Sequence, residues 1–255
     1  MRTVEVAGAL GALRANMMED GFTIREVGDV STIPSLIERI GKPYLTPISN
    51  PLHNDFTEGN SIWLVAEKDG EPVYLGCARL EDLGSESVSR YWSRVLSRAY
   101  SEGGRESVIE NVRPEVDKAL GGRIVYFGDL FVKLKGRGSR RALRSFVAIG
   151  HLAVSLKWNP DWIYCFVREA DILRGAAILY GFTTLFPNPF HWVEPPFPRD
   201  NSEWLAALPR SEVWYCAEAA LSAARGGTGS QEGLKSNHQK RKVQDEARPI
   251  ATFDG

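Results

Sequence analysis

The chain has 255 residues, 43% of them hydrophobic and 25% charged, with a formal net charge of -1. That is enough apolar material to bury a sizeable core in one large domain or two small ones. A charge this close to zero excludes bulk attraction to nucleic acid or an anionic membrane as the main activity, so any anion site is local.

Residues 1–20 read as an N-terminal extension with one short helical pattern at most. After Gly21, the alternation of Phe22, Ile24 and Glu26 against Thr23, Arg25 and Val27 predicts a short strand. Ser31 and Thr32 precede Ile33, Leu36, Ile37 and Ile40 at helical spacing, with Pro34 in the first turn and Gly41 past the end. Residues 42–60, rich in Pro and Asn, form a loop bordering a cleft.

Ile62–Ala66 and Val73–Ala78 flank Asp69-Gly70, a favoured two-residue turn, and predict a hairpin. Residues 84–121 read as a helical insertion between strands. Val88, Tyr91, Trp92, Val95 and Ala99 share one helical face, and Pro114 opens a second helix. The insertion either packs onto the core, covers an acceptor cleft or forms a homodimer contact.

Ile124–Val132 predicts a buried strand, followed by a basic, glycine-spaced turn and a helix with Leu143, Phe146, Val147, Ile149, Leu152, Ala153 and Leu156 on a broad apolar face. Trp162–Val167 is a further strand, Ala170–Leu179 a helix, and a strand runs from Gly181-Phe182 to Phe186. A proline-rich loop follows over residues 187–200, which with the 42–60 loop and the insertion is expected to shape an acceptor pocket, and Glu212–Ala217 is expected as a last strand. Residues 220–255 hold too few large apolar residues to offset ordering entropy and read as a disordered tail.

Cys77, Cys165 and Cys216 are far apart and form no CxxC pair, so they read as buried small hydrophobes in a reducing compartment. No HExxH or Cys/His zinc spacing occurs, so no metal site is expected. With no secretory signal pattern and no apolar stretch long enough to span a bilayer, a soluble cytoplasmic protein is expected.

The richest signal is Tyr126 through Leu143, where a strand passes through Lys133, Lys135, Gly136, Arg137, Gly138, Ser139, Arg140 and Arg141 into a helix. Such a turn aims backbone N–H groups and positive charge at a phosphorylated ligand. It lacks the third glycine of a dinucleotide fingerprint and the Gly-Lys-Ser/Thr of a phosphate-binding loop.

The order of elements resembles the GNAT superfamily of N-acetyltransferases over residues 21–219, with residue-level similarity over 123–186. The family loop pattern, Gln or Arg, two free positions, Gly, one free position, then Gly or Ala, fits in two registers. One runs Lys133-Leu134-Lys135-Gly136-Arg137-Gly138, with Lys at the first position; the other runs Arg137-Gly138-Ser139-Arg140-Arg141-Ala142, with Arg140 at the central glycine. Both stay open.

The resemblance implies an α/β, GNAT-like (acyl-CoA N-acyltransferase) fold: a central mixed, mostly antiparallel sheet flanked by helices, with the helical insertion. It implies acetyl-CoA or another acyl-CoA as co-substrate and a small-molecule or protein amine as acceptor. Main-chain groups of Leu130, Phe131 and Val132 would meet the pantetheine arm. The N–H groups between Gly136 and Arg141 would hold the pyrophosphate, with Lys133 as a further phosphate contact.

Asp129, the one carboxylate of the central strand, stands as catalytic base or as a structural partner of loop N–H groups. The position five before the Phe of Gly181-Phe182, a tyrosine in many relatives, is Ala177 here, so the nearby Tyr180 stands as acid or as core aromatic. His53 and Glu194 are candidates for the acceptor side by residue type alone. A non-catalytic relative that senses a ligand or binds a partner is the alternative to an enzyme.

Overall fold

The computed structural model describes residues 3–101, 107–133 and 140–223. The predicted loop from Leu134 to Ser139, and the predicted tail beyond residue 223, lie outside the described residues.

Seven strands form one sheet in the order β1-β2-β3-β5-β6-β9-β7. They are β1 (Phe22–Glu26), β2 (Ser61–Lys68), β3 (Glu71–Asp82), β5 (Arg123–Val132), β6 (Trp162–Val167), β7 (Thr184–Pro187) and β9 (Trp204–Pro209). Every neighbouring pair is antiparallel except β5 and β6, which run parallel. A parallel pair needs a crossover, and α5 (Arg140–Trp158) supplies it. The two short strands β4 (Ile109–Glu110) and β8 (His191–Trp192) pair separately.

The period-two alternation of β2 sorts its side chains between two faces. Ile62, Leu64 and Ala66 join the larger core, to which α5 and α1 (Thr3–Glu19) also contribute. Trp63 and Val65 face the other way, with Leu75 and Cys77 of β3, and α2 (Ile33–Ile40) covers them with Ile33, Leu36 and Ile40. The hairpin turn has Asp69 and Gly70 at φ 54° and 78°, as the Asp-Gly signal predicts.

The insertion is core. On α3 (Val88–Tyr100) the residues Val88, Tyr91, Trp92, Val95 and Ala99 are all buried. The Trp92 ring packs against Tyr164 and Phe166 of β6, and its indole N–H donates to the Tyr164 hydroxyl at 3.0 Å. The short helix α4 (Pro114–Ala119) begins with its proline, as expected.

Three expectations change. Residues 1–20 hold a full 17-residue helix whose stripe of Val6, Ala9, Leu13 and Met17 is buried and which packs on α5. Gly8 and Gly11 dilute its helical signal, and tertiary packing supplies what propensity does not. The helix expected over Ala170–Leu179 is two, α6 (Glu169–Leu173) and α7 (Ala176–Tyr180), because Gly175 between them takes φ 84°.

Residues 212–217 are not a strand. Residues 213–223 are helical, with Val213, Ala217 and Ala220 buried at i, i+4 and i+7. The closing strand is β9 instead, whose Leu205, Ala206, Ala207 and Leu208 are buried. A short continuous apolar run does not reveal its own period, which is why this strand is not evident in the sequence.

Candidate functional site

The parallel strands β5 and β6 are paired only from Ile124↔Trp162 to Tyr126↔Tyr164. Beyond that point β5 stays with β3 as far as Val132, and β6 stays with β9 as far as Val167. The two strands therefore part, and the main-chain groups of β5 from Phe127 onward have no strand partner on the β6 side. Unpaired backbone groups inside a fold call for a polar partner.

A β-bulge accompanies the parting. Leu75 pairs with Phe131 and Cys77 with Gly128, so Asp129 and Leu130 oppose the single residue Gly76. Asp129 sits in the left-handed region at φ 51°. An extra residue of this kind bends its strand, and such bulges recur beside active sites. Gly128 is needed here, since a Cβ would lie 2.3 Å from the Tyr126 ring.

The gap holds a cavity of about 350 Å³ whose walls include Phe127–Phe131 from β5 and Cys165–Arg168 at the end of β6. Loop residues Lys42, Tyr44 and Thr46 close one side, and Pro198, Arg199 and Glu203 another. A mixed, mostly antiparallel sheet flanked by helices, with a helical insertion, is the fold the resemblance implies, and the observed strand order matches it. The fold is GNAT-like.

No protein-family model matches the chain, and no curated protein matches it in sequence. Among solved structures it is similar to an agmatine N-acetyltransferase mutant in its apo form, with 16% identity, 74% of this chain and 99% of that chain covered, and a TM-score of 0.43. Drosophila melanogaster polyamine N-acetyltransferase is similar at 15% identity, 74% and 99% coverage and a TM-score of 0.43. FeeM, an N-acyl amino acid synthase from uncultured soil microbes, is similar at 8% identity, 75% and 93% coverage and a TM-score of 0.44. At these values no residue role carries over, and the fold assignment rests on strand order and the gap.

In this GNAT-like frame, Asp129 has three polar contacts. Its buried carboxylate lies 3.0 Å from the Lys42 ammonium, accepts from the Thr46 backbone N–H at 3.2 Å and also accepts from the Thr46 hydroxyl. Lys42 in turn lies over the rings of Tyr44 and Phe131, at 5.4 and 5.5 Å. Asp129 thus ties the loop after α2 to the bulge of the central strand.

Tyr180 lines the same cavity, and burial pushes its hydroxyl up to about 12, so it stays protonated at neutral pH. Ala177 is buried and does not line it. Leu130 and Phe131 line the cavity, while Val132 and Lys133 do not. The Lys133 ammonium pairs with Glu71 at 3.5 Å, and its backbone N–H bonds to Val73.

Arg140 and Arg141 line a second cavity of about 400 Å³ at the start of α5, together with Arg144 and Arg174. Arg141 also pairs with Asp20. Of the remaining expected phosphate contacts, Gly136, Arg137, Gly138 and Ser139 lie outside the described residues. His53 and Glu194 are exposed and line neither cavity.

Sequence reasoning missed Lys42, Thr46, Arg168, Arg199 and Glu203. Arg199 is buried, donates to the Tyr100 hydroxyl through Nε at 2.9 Å and Nη2 at 2.8 Å, and pairs through Nη1 with Glu203 Oε1 at 3.0 Å. Lys42, Thr46 and Arg199 fall in the two loops expected to shape the acceptor pocket. No local pattern marks them there.

Proposed function

We propose that the protein is an acyl-CoA-dependent N-acyltransferase, with acetyl-CoA or another acyl-CoA as co-substrate and an amine as acceptor. One observation carries the reading: the gap between β5 and β6. It pairs a strand edge of unmatched N–H and C=O groups, suited to the amides of a pantetheine arm, with a cavity of about 350 Å³ beside that edge. The arginines at the start of α5 supply the matching charge for phosphates, aided by the positive end of a 19-residue helix.

Bound acyl-CoA would supply an activated acyl group as its thioester. The chain's own residues hold the arm at Leu130 and Phe131, and Arg140 and Arg144 face its phosphates. Tyr180 holds a proton within the cavity for a departing thiolate. Asp129 and Glu203 are the buried carboxylates that face an incoming amine and its released proton. Asp129, already bonded to Thr46 and Lys42, also sets the shape of the acceptor side.

Titration calorimetry with acetyl-CoA and longer acyl-CoAs, followed by thiol release in the presence of an amine panel, tests this reading. Micromolar binding with amine-dependent thiol release is expected. Binding without any thiol release would favour the non-catalytic alternative, and no binding of any acyl-CoA would defeat both.

A further inference from the structure

We infer that the acceptor is an amino acid, taken by its carboxylate as well as its amine. The inference rests on the acyl-transfer reading and concerns the same cavity. Six ionised side chains line it, three of each sign: Lys42, Arg168 and Arg199 against Asp129, Asp171 and Glu203. They are paired, at 3.0 Å for Lys42 with Asp129, 2.7 Å for Arg168 with Asp171 and 3.0 Å for Arg199 with Glu203.

Neither sign has spent all of its hydrogen-bonding capacity. Asp129 accepts from Lys42, the Thr46 N–H and the Thr46 hydroxyl. Glu203 accepts from Arg199 and from the Trp192 indole at 3.3 Å. Asp171 accepts two bonds from Arg168 and one from Arg174. Of the roughly four lone-pair sites of a carboxylate, Asp129 and Asp171 use three and Glu203 two, so the acidic side keeps room for an ammonium.

The cations also keep spare donors. An ammonium has three N–H donors and a guanidinium five. Among the described residues Lys42 has Asp129 as its single ion-pair partner. Arg199 spends three of its five donors on Tyr100 and Glu203 and has the Tyr126 hydroxyl as a further hydrogen-bond partner, which leaves one. Both side chains are at least nine-tenths buried, so their spare donors face the cavity or go unmet.

Spare buried donors on a wall of zero net charge select a ligand that brings an acceptor group without adding net charge. A polyamine would leave the cavity positive and the spare donors of Lys42 and Arg199 unmet. A dicarboxylate would leave the cavity negative. A zwitterion adds a carboxylate for Lys42 and Arg199 and an ammonium for the acidic side, and leaves the cavity neutral. In the transfer, the bound ammonium first gives one proton to a cavity carboxylate or to water; the neutral amine nitrogen then bonds the acyl carbon as the thioester C–S bond breaks, gives up a second proton, and the sulfur takes one.

The test compares the full-length protein's use of single amino acids with their decarboxylated amines, for example phenylalanine with phenethylamine and leucine with isoamylamine, by thiol release with acetyl-CoA and with a longer acyl-CoA. For at least one pair, kcat/KM is expected to favour the amino acid by about 100-fold, the scale set by leaving a buried donor unpaired. Arg199→Lys, which keeps the charge and loses the fork, is expected to cut that preference about tenfold by raising KM for the amino acid and not for the amine. Equal or better use of the amines overturns the inference and leaves acyl transfer standing.

Should no acyl-CoA bind, the acyl-transfer reading fails, and ligand-observed NMR with the same pairs then decides the acceptor site. Amino-acid binding without amine binding upholds the site, and binding of neither member of any pair overturns it.

Discussion

The Lys42 ammonium meets the Asp129 carboxylate at 3.0 Å, and this contact joins the loop after α2 to the bulge of the central strand. Both side chains are buried, so each is the other's counter-charge. Removing one partner leaves a buried charge alone, at a cost of about 3–5 kcal/mol. Lys42→Met and Asp129→Asn are each expected to destabilise on that scale in urea unfolding, while the double variant recovers most of the loss. Additive losses in the double-mutant cycle would show the pair to be energetically uncoupled.

Tyr180 shares the cavity with Asp129, and burial keeps it protonated. Tyr180→Phe is expected to lower kcat about 100-fold with KM for acyl-CoA little changed, the signature of a lost general acid. A variant with full kcat would make Tyr180 a packing residue of α7.

The cavity lined by Arg140 and Arg144 fits phosphates. Arg140→Ala and Arg144→Ala are each expected to raise KM for acyl-CoA about tenfold, the worth of one charge-assisted hydrogen bond. An acyl N-acetylcysteamine thioester, which has no phosphate, controls for general damage: its turnover should not change. Equal effects on both substrates would remove this cavity from cofactor binding.

Two buried groups give stability a pH profile of opposite slopes. His151 lies between the rings of Phe127 and Phe182, neither ring nitrogen has a hydrogen-bond partner, and burial lowers it from 6.5 to about 3. The unfolded chain binds its proton first, so stability falls as pH drops from 6.5 towards 3, by about 1.4 kcal/mol per unit. Glu81 runs the other way. Burial raises it from 4.5 to about 7, against the Arg79 charge and the Tyr164 hydroxyl bonded at 2.6 Å. The folded chain therefore holds that proton longer, and stability falls as pH rises from 4.5 to 7.

Between pH 4.5 and 6.5 these two slopes oppose each other. His151→Leu removes one of them, so chemical denaturation of this variant is expected to show stability declining with pH across that window. A wild-type-like profile would mean that His151 is not held neutral by burial.

Much of the frame is legible along the chain because its causes are local. Asp69-Gly70 tolerates the positive φ of a tight turn, the alternation in β2 separates two faces, and the stripe from Val88 to Ala99 needs only helical spacing to be seen. The basic turn and Gly181-Phe182 similarly announce a GNAT-like order before any contact is known. Where the signal was faint, as in α1 and β9, stability comes from packing on distant elements, and local pattern carries little of it.

The tertiary structure decided which residues join Asp129, Leu130, Phe131 and Tyr180 in one cavity. Whether β5 and β6 stay paired beyond Tyr126 depends on the rival claims of β3 and β9 on their outer edges, which no window of sequence contains. Lys42, Asp129 and Arg199 are 87 and 70 residues apart in turn and meet because two loops fold over one gap. Sequence determined which residues can pair, turn and carry charge; burial in a shared cavity determined which of those charges face each other, since only water exclusion makes their pairing matter.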